Sequence, residues 1–221
     1  MATPLRIDFV SDVACPWCVI GLRSLMKALE AVGDDVEAEI HFQPFELNPD
    51  MAPEGENTTE HVIKKYGSNP ERSAASRNAM KESGDALGFT FNYGPQSRIW
   101  NTFDAHRLLH WAGVEGRQLE LKEALFKANF TDQLSTSDHE VLVGAAKAAG
   151  LDERRARQVL ASGEFTDEVR REEMLWRNRG ISAVPSVIFN QRWMVQGGQP
   201  PQVFEQAIRQ IVSGHAEEAR A

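Results

Sequence analysis

Cys15 and Cys18 are the only two cysteines in a chain of 221 residues, and they stand three apart within DFVSDVACPWCVIG, residues 8–21. A pair so spaced suits three kinds of chemistry: half of a metal site, two small apolar groups in a core, or a dithiol that opens and closes as a disulfide. Tetrahedral zinc needs four ligands. His106 and His110, at i and i+4 on one predicted helix, could complete the set, but they lie about ninety residues on, without the short spacing of a zinc finger. Free cysteine is often buried as a small hydrophobe. Placement favours the dithiol. Cys15 follows an apolar run, Leu5–Val10, that reads as a buried strand ending at Ser11-Asp12, and it precedes Pro16, which suits the first position of a helix. Unpaired N–H groups and the helix dipole at such a start favour a thiolate over a thiol. Cys15 is then the attacking and leaving sulfur, and Cys18, one turn further in, resolves the mixed disulfide.

The elements that must position this pair follow from periodicity. From Pro16 to Ala31 the residues Val19, Leu22, Leu25, Met26 and Leu29 recur at helical spacing, and Gly33 closes the run. Val36–Phe42 alternates as a second strand, so the start of the chain is one βαβ unit with a right-handed connection. After PFELNPDMAPEG, a loop by its prolines and glycine, the pattern is helical for over a hundred residues. Asn69-Pro70 opens a helix to about Leu87, Asn101 caps NTFDAHRLLHWAG, and Ser137 to Glu140 fits a capping box before a stop at Gly150. Glu168–Arg179 is the last helix of this block, and DERRARQ at 152–158 reads as a solvated face. Strand character returns only at Ser186–Asn190 and Trp193–Gln196, joined by a two-residue turn at Asn190-Gln191. Gly197-Gly198 and an amphipathic helix over Pro200–Val212 close the chain. The order βαβ, helical block, ββα describes a small sheet split by a helical insertion.

Composition bounds the partners. Hydrophobic content of 42% and charged content of 25% suit a globular protein with a substantial core. A formal charge of −8 argues against a surface built for nucleic-acid phosphates or anionic lipid. MATPLRIDFVSD carries no basic stretch followed by a long apolar segment, and nothing elsewhere approaches the length of a membrane helix. The expectation is a cytoplasmic protein with neither nucleic-acid nor membrane partners. Two cysteines are too few for a disulfide scaffold, and in a reducing compartment a close pair is redox-active or metal-binding rather than structural.

Pro185, just before the strand at 186, cannot donate to a ladder and belongs at a strand start or edge; alone it reads as a loop proline. Taken together, SDVACPWCVIG at 11–21, NTFDAHRLLHWA at 101–112, GISAVPSVIFN at 180–190 and GGQPPQVFEQAI at 197–208 resemble the thioredoxin superfamily. More narrowly, the chain resembles the DsbA-like branch and its FrnE-like group of dithiol–disulfide oxidoreductases and isomerases, along nearly its whole length. The resemblance implies an α/β, thioredoxin-like fold (βαβ…ββα) interrupted by an all-helical insertion domain. Residues 1–45 and 171–221 would form the two thioredoxin-like parts, and residues 46–170 the insertion. It implies a cis Val184-Pro185 peptide facing the CPWC turn, with the Val184 backbone offered beside Cys15 so that a substrate peptide pairs there as an added strand. The implied activity is thiol–disulfide exchange on cysteine-containing proteins or peptides. It needs no metal and no cofactor beyond the Cys15–Cys18 disulfide, with glutathione or another thiol as reductant.

Around that centre, Trp17 could offer an apolar contact to substrate or pack on the helical domain. Asp12 either caps the turn or relays a proton to Cys18. His106 could line the cleft above Cys15 and stabilise its thiolate when protonated; otherwise it is a satisfied helical residue. Many thioredoxin-like proteins carry a buried acid six residues before the nucleophile. Phe9 stands there in this chain, and Asp8 should point to the other face of the strand, so the proton relay has no assigned acid. A second reading is a glutathione-dependent small-molecule isomerase or transferase on the same scaffold, although those relatives typically place serine where Cys15 stands. A third is a redox-sensing or chaperone-like binding module. The motif does not fix the direction of electron flow; a reducing compartment would make reduction or isomerisation the net task.

Overall fold

The computed structural model describes residues 2–218, with side chains up to residue 214. Strand β1 (Thr3–Ser11), helix α1 (Pro16–Val32) and strand β2 (Val36–Pro44) form the opening βαβ unit. β1 and β2 run parallel, with Ile7 opposite Ile40 and Phe9 opposite Phe42. A two-residue strand β3 (Glu56–Asn57) follows, then α2 (Thr58–Tyr66) and α3 (Pro70–Ala86), then β4 (Arg98–Ile99), which pairs antiparallel with β3. Helices α4 (Phe103–Val114) and α5 (Gln118–Phe126) come next, α5 running into a π-helical turn at Lys127–Thr131. The block ends with α6 (His139–Ala148), α7 (Glu153–Ser162) and α8 (Thr166–Asn178). Strands β5 (Ser186–Phe189) and β6 (Trp193–Gln196) and helix α9 (Pro201–Glu218) complete the chain.

The main sheet has the order β2-β1-β5-β6, with β5 antiparallel to β1 and β6 antiparallel to β5. β1 lies between β2 and β5, and its residues from Ile7 to Ser11 are all buried. Leu5, Ile7 and Phe9 join a core with Leu22 and Leu25 of α1 and Phe204 and Ile208 of α9. Val10, on the opposite face, packs with Phe45, Ile188 and Trp176 of α8. This is the thioredoxin arrangement with helices interposed between β2 and β5. The insertion has a core of its own around Leu108, Trp111, Leu121, Leu142 and Val159, and Val13 from the active turn is buried in it. The turn carrying Cys15 and Cys18 is therefore clamped between the two cores.

Local details differ from the sequence expectations in physically simple ways. Asp138, not Ser137, caps α6, accepting from the Glu140 and Val141 amides at 2.7 and 3.4 Å. Ser137 Oγ donates instead to the Asn101 carbonyl at 3.0 Å. Asn101 Oδ1 accepts from the Phe103 amide at 2.9 Å, with Thr102 standing between it and α4. The run 152–158 opens α7, whose Ala156 is buried while Arg155 and Arg157 pair with Glu164 and Glu140. The expected division at 170/171 falls inside α8. The turn at Asn190-Gln191 forms without glycine, with φ of 47° and 56° and the Arg192 amide donating to the Phe189 carbonyl at 3.0 Å.

Candidate active site

Cys15 is the N-cap residue of α1, Pro16 occupies the first turn, and no acidic side chain or capping hydrogen bond neutralises that end of the helix. The positive end of the helix dipole thus faces the Cys15 sulfur. The turn is set by two backbone bonds, Cys15 N–H to the Asp12 carbonyl (3.2 Å) and Cys18 N–H to the Cys15 carbonyl (3.1 Å). Both cysteines are free thiols. Cys15 Sγ donates to the Val184 carbonyl at 3.6 Å, and the Val184-Pro185 peptide is cis. Pro185 reaches this position because α1 carries glycine opposite it: a Cβ on Gly21 would lie 2.9 Å from Pro185 Cγ. Cys18 is fully buried behind Cys15; burial, followed by its hydrogen bond with Cys15, pushes its thiol well up, while the Lys122 charge pulls it down.

Cys15 lines the floor of a cleft of about 590 Å³. Trp17 and Val184 stand on its near side; Tyr66 from the end of α2 and Arg72 and Arg77 from α3 stand on the far side. Trp17 is 38% exposed, and its ring edge lies close to Gly198 after β6, where a Cβ would stand 3.2 Å from Trp17 Cε3. Neither Arg72 nor Arg77 pairs with a carboxylate among the described residues, whereas Arg98, also on the wall, is held by the Glu54 and Gly55 carbonyls. The cleft is thus apolar at the sulfur and cationic at the rim. Sequence periodicity could not reveal this wall, because arginines on α3 read as ordinary surface charge.

Asp12 lies beneath the turn, 1% exposed. Its carboxylate accepts from the Ala14 amide (3.1 Å), the Leu47 amide (2.7 Å) and Thr102 Oγ1 (2.8 Å). Burial pushes its carboxyl up, but His106 and the two amides outweigh that and hold it below the usual carboxylate range. His106 is not part of the cleft above Cys15: it is buried, with Nε2 at 3.5 Å from Asp12 Oδ1, facing the underside of the turn. The helix that carries it packs against the insertion core, which turns the ring inward. His110, a turn later, points to Glu172 at 3.4 Å. Among the described residues, no group of three or more His, Cys, Asp or Glu is arranged to hold a metal ion. Asp8 is buried and faces Arg6 (2.8 Å) and Gln43 (2.8 Å).

The residue that sequence reasoning missed is Lys122. It is 1% exposed on α5, its ammonium lies 5.0 Å from the Phe126 ring centroid, and burial lowers its amine to about 8 against the opposing pull of Cys18, Asp12 and Cys15. The available signal was its spacing: Lys122 precedes Phe126 by four residues, as Leu121 precedes Leu125, so it sits on the buried side of α5.

A four-stranded sheet flanked by α1 and α9, a dithiol at a helix start and a cis-proline beside it define a thioredoxin-fold protein with a helical insertion. Residues 6–209 match the DSBA-like thioredoxin domain family, and the chain belongs to it. It is 35% identical to a probable DsbA oxidoreductase from Streptomyces coelicolor, with a TM-score of 0.89 over 95% of this chain and 90% of that one. A 2-hydroxychromene-2-carboxylate isomerase shares the fold at TM-score 0.71 and 14% identity, over 96% and 98% of the two chains. So does the cytosolic disulfide reductase DsbM from Pseudomonas aeruginosa with GSH, at TM-score 0.63 and 15% identity, over 94% and 99%. The expectation of a DsbA-like oxidoreductase fold is met. Among the described residues no helix is long and apolar enough to cross a membrane.

Proposed function

We propose that this protein is a thiol–disulfide oxidoreductase or isomerase acting on cysteine-containing proteins and peptides through Cys15 and Cys18, in the manner of the FrnE-like group, and that it works in the cytoplasm. The observation that carries this reading is the contact of Cys15 Sγ with the Val184 carbonyl at 3.6 Å on the floor of an open cleft, with Cys18 directly behind. A disulfide-bearing peptide laid along Val184 presents its sulfur to Cys15. The Cys15 thiolate attacks, one substrate sulfur leaves as a thiol, and Cys18 displaces the other, so that the pair is oxidised and the substrate reduced. Run in reverse, the same steps introduce a disulfide. Trp17 supplies apolar contact area at the cleft edge, and pairing through backbone atoms keeps selectivity loose.

Glutathione is the proposed reducing thiol. Arg72 and Arg77 leave two uncompensated positive charges at the rim, where the carboxylates of a small anionic thiol would be held. The likeness to DsbM, solved with GSH, supports this partner. The same rim charges favour one second reading, a glutathione-dependent isomerase or transferase of small molecules, supported by the likeness to the isomerase fold. The test is insulin reduction and refolding of oxidised ribonuclease with Cys15→Ser and Cys18→Ser. Cys15→Ser should abolish both activities and Cys18→Ser should accumulate mixed disulfides visible by mass spectrometry. Full activity of Cys15→Ser in both assays would end the proposal. Retained turnover of glutathione conjugates by Cys18→Ser would favour the second reading.

A further inference from the structure

The π-helical turn at Lys127–Thr131 brings the insertion up against the active turn. Such turns are rare and frequent at functional sites. Asn129 Nδ2 donates to the Val13 carbonyl at 3.1 Å, two residues before Cys15. A carbonyl only accepts, so this bond fixes which end of the Asn129 amide faces Val13 and turns Oδ1 away from it. Asn129 is 6% exposed and lines the same cleft as Cys15 and Val184, and among the described residues nothing donates to Oδ1. Nor is Oδ1 sealed in the interior, unlike Nε2 of His61 on the same wall. The segment that carries it is braced. Gln133 Nε2 donates to the Asn129 and Phe130 carbonyls at 3.0 and 3.2 Å, Ser97 Oγ donates to Gln133 Oε1 at 2.5 Å, and the Asn92 amide donates to the Phe130 carbonyl at 2.8 Å.

We propose that Asn129 is a substrate-binding residue whose Oδ1 accepts a backbone N–H of the peptide that Cys15 attacks, so that the cleft grips both edges of an extended chain. This deepens the thiol–disulfide reading above and rests on it. In an extended peptide, successive N–H groups point to opposite edges. A chain that lays one edge on Val184 therefore offers its alternate N–H groups to the facing wall. Cys15 Sγ lies 3.6 Å from the Val184 carbonyl, and Asn129 is anchored at Val13. Val13 and Cys15 stand at most about 7 Å apart along the chain, the length of about two residues of extended substrate. The class of substrate this selects is a cysteine within a peptide chain, with an amide N–H beside it, over a disulfide that lacks one.

The other polar groups of the cleft do not fill this role. Among the described residues no carboxylate lines it, and Arg72 and Arg77 only donate. The hydroxyls of Ser68 and Ser73 bond to each other at 3.1 Å, and Ser97 is taken up by Gln133. His61 turns Nδ1 to Glu56 at 2.6 Å, and its Nε2 is buried. Of the polar side chains that line the cleft, among the described residues only Asn129 hydrogen-bonds the turn that carries Cys15.

The test times the attack of Cys15 on short peptides whose single cysteine carries thionitrobenzoate, followed by release of the coloured thiolate. Each peptide is paired with a twin in which an ester replaces one amide, and the ester is moved along the residues on either side of the cysteine. The ester keeps the shape and the carbonyl but removes the N–H. Wild type should react about fivefold more slowly when the ester falls at the position facing Asn129, the worth of one hydrogen bond. In Asn129→Ala that loss should vanish, with amide and ester within about twofold of each other, while any loss at a position paired with Val184 persists. Each chain is its own reference, so a general change in Cys15 reactivity or in the stability of the turn cancels from the ratio. Asn129→Ser, too short to reach the substrate, carries the same comparison where the alanine variant does not fold. An amide-to-ester ratio unchanged in a folded variant at every position would overturn the proposal, as would a wild type indifferent to the ester throughout. Failure of wild-type Cys15 to exchange with any peptide would instead sink the oxidoreductase reading. Calorimetric binding of the same peptides with serine in place of cysteine then decides on Asn129, with a ratio of about five expected in wild type and none in the variant.

Discussion

Asp12 joins three segments at one carboxylate: its own turn through Ala14, the loop after β2 through Leu47, and the edge of the insertion through Thr102. Replacing it by alanine leaves two amides and a hydroxyl without an acceptor in a dry site, so Asp12→Ala should lose about 3 kcal/mol of stability in urea titrations at pH 7. Because the folded carboxyl lies below its unfolded value, its contribution is complete above that unfolded value and is lost as pH falls through the folded one. The gap between wild type and Asp12→Ala should therefore narrow in acid. CPWC and Val-Pro were legible at this scale, because proline and cysteine have few structural uses at such positions. Lys122 was not: within QLELKEALF a lysine beside two glutamates reads as solvated, and only the company of Phe126 on its face marks it as buried.

At the scale of elements, α1 and the loop at 182–185 must approach closely for Cys15 to meet Val184. Gly21 makes that approach possible. Gly21→Ala would force a methyl against the rigid Pro185 ring, costing about 1–3 kcal/mol as an overpacked contact and displacing Val184 from the sulfur. The expected outcome is a slower reaction of Cys15 with peptide disulfides, while alkylation of the same thiol by iodoacetamide stays near wild type. The βαβ start and ββα end were readable because strand alternation, helical spacing and glycine stops agree there. β3 and β4 were not, since two residues carry no period. α5 is nine residues long, lacks a side-chain cap and runs on into the π-helical turn, so its limits come from tertiary packing rather than from any local stop; α2 is bounded by Asn57, which caps it, and by Gly67 in the left-handed region, signals easily passed over inside a continuous helical pattern.

Across the whole molecule, sheet and insertion meet at a shared charge. Arg170 of α8 binds Glu46, just after β2, and Glu173 at 2.8 Å, with its guanidinium 3.7 Å from the Phe103 ring centroid. One oxygen of each glutamate is buried without a partner. Burial first, then the Glu173 charge, raises the Glu46 carboxyl to about 7 against the pull of Arg170. The folded state therefore binds the extra proton between pH 4.5 and about 7, so this group's contribution to stability falls as pH rises through that window. Wild type should lose melting temperature relative to Glu46→Gln between pH 5 and pH 8 in thermal scans. A wild-type melting temperature that stays constant or rises relative to Glu46→Gln over that range would refute the assignment.

The division of the cleft carries a consequence of another kind. Cys15 and Val184 stand on the α1 start and the loop before β5, within the thioredoxin part, whereas the facing wall with Arg72 and Arg77 is borrowed from the interposed helices. On the proposed function, chemistry and choice of guest are thus written on separate stretches of chain. Descendants of this scaffold can trade one clientele for another by rewriting residues 58–86 while the sulfur machinery stays untouched.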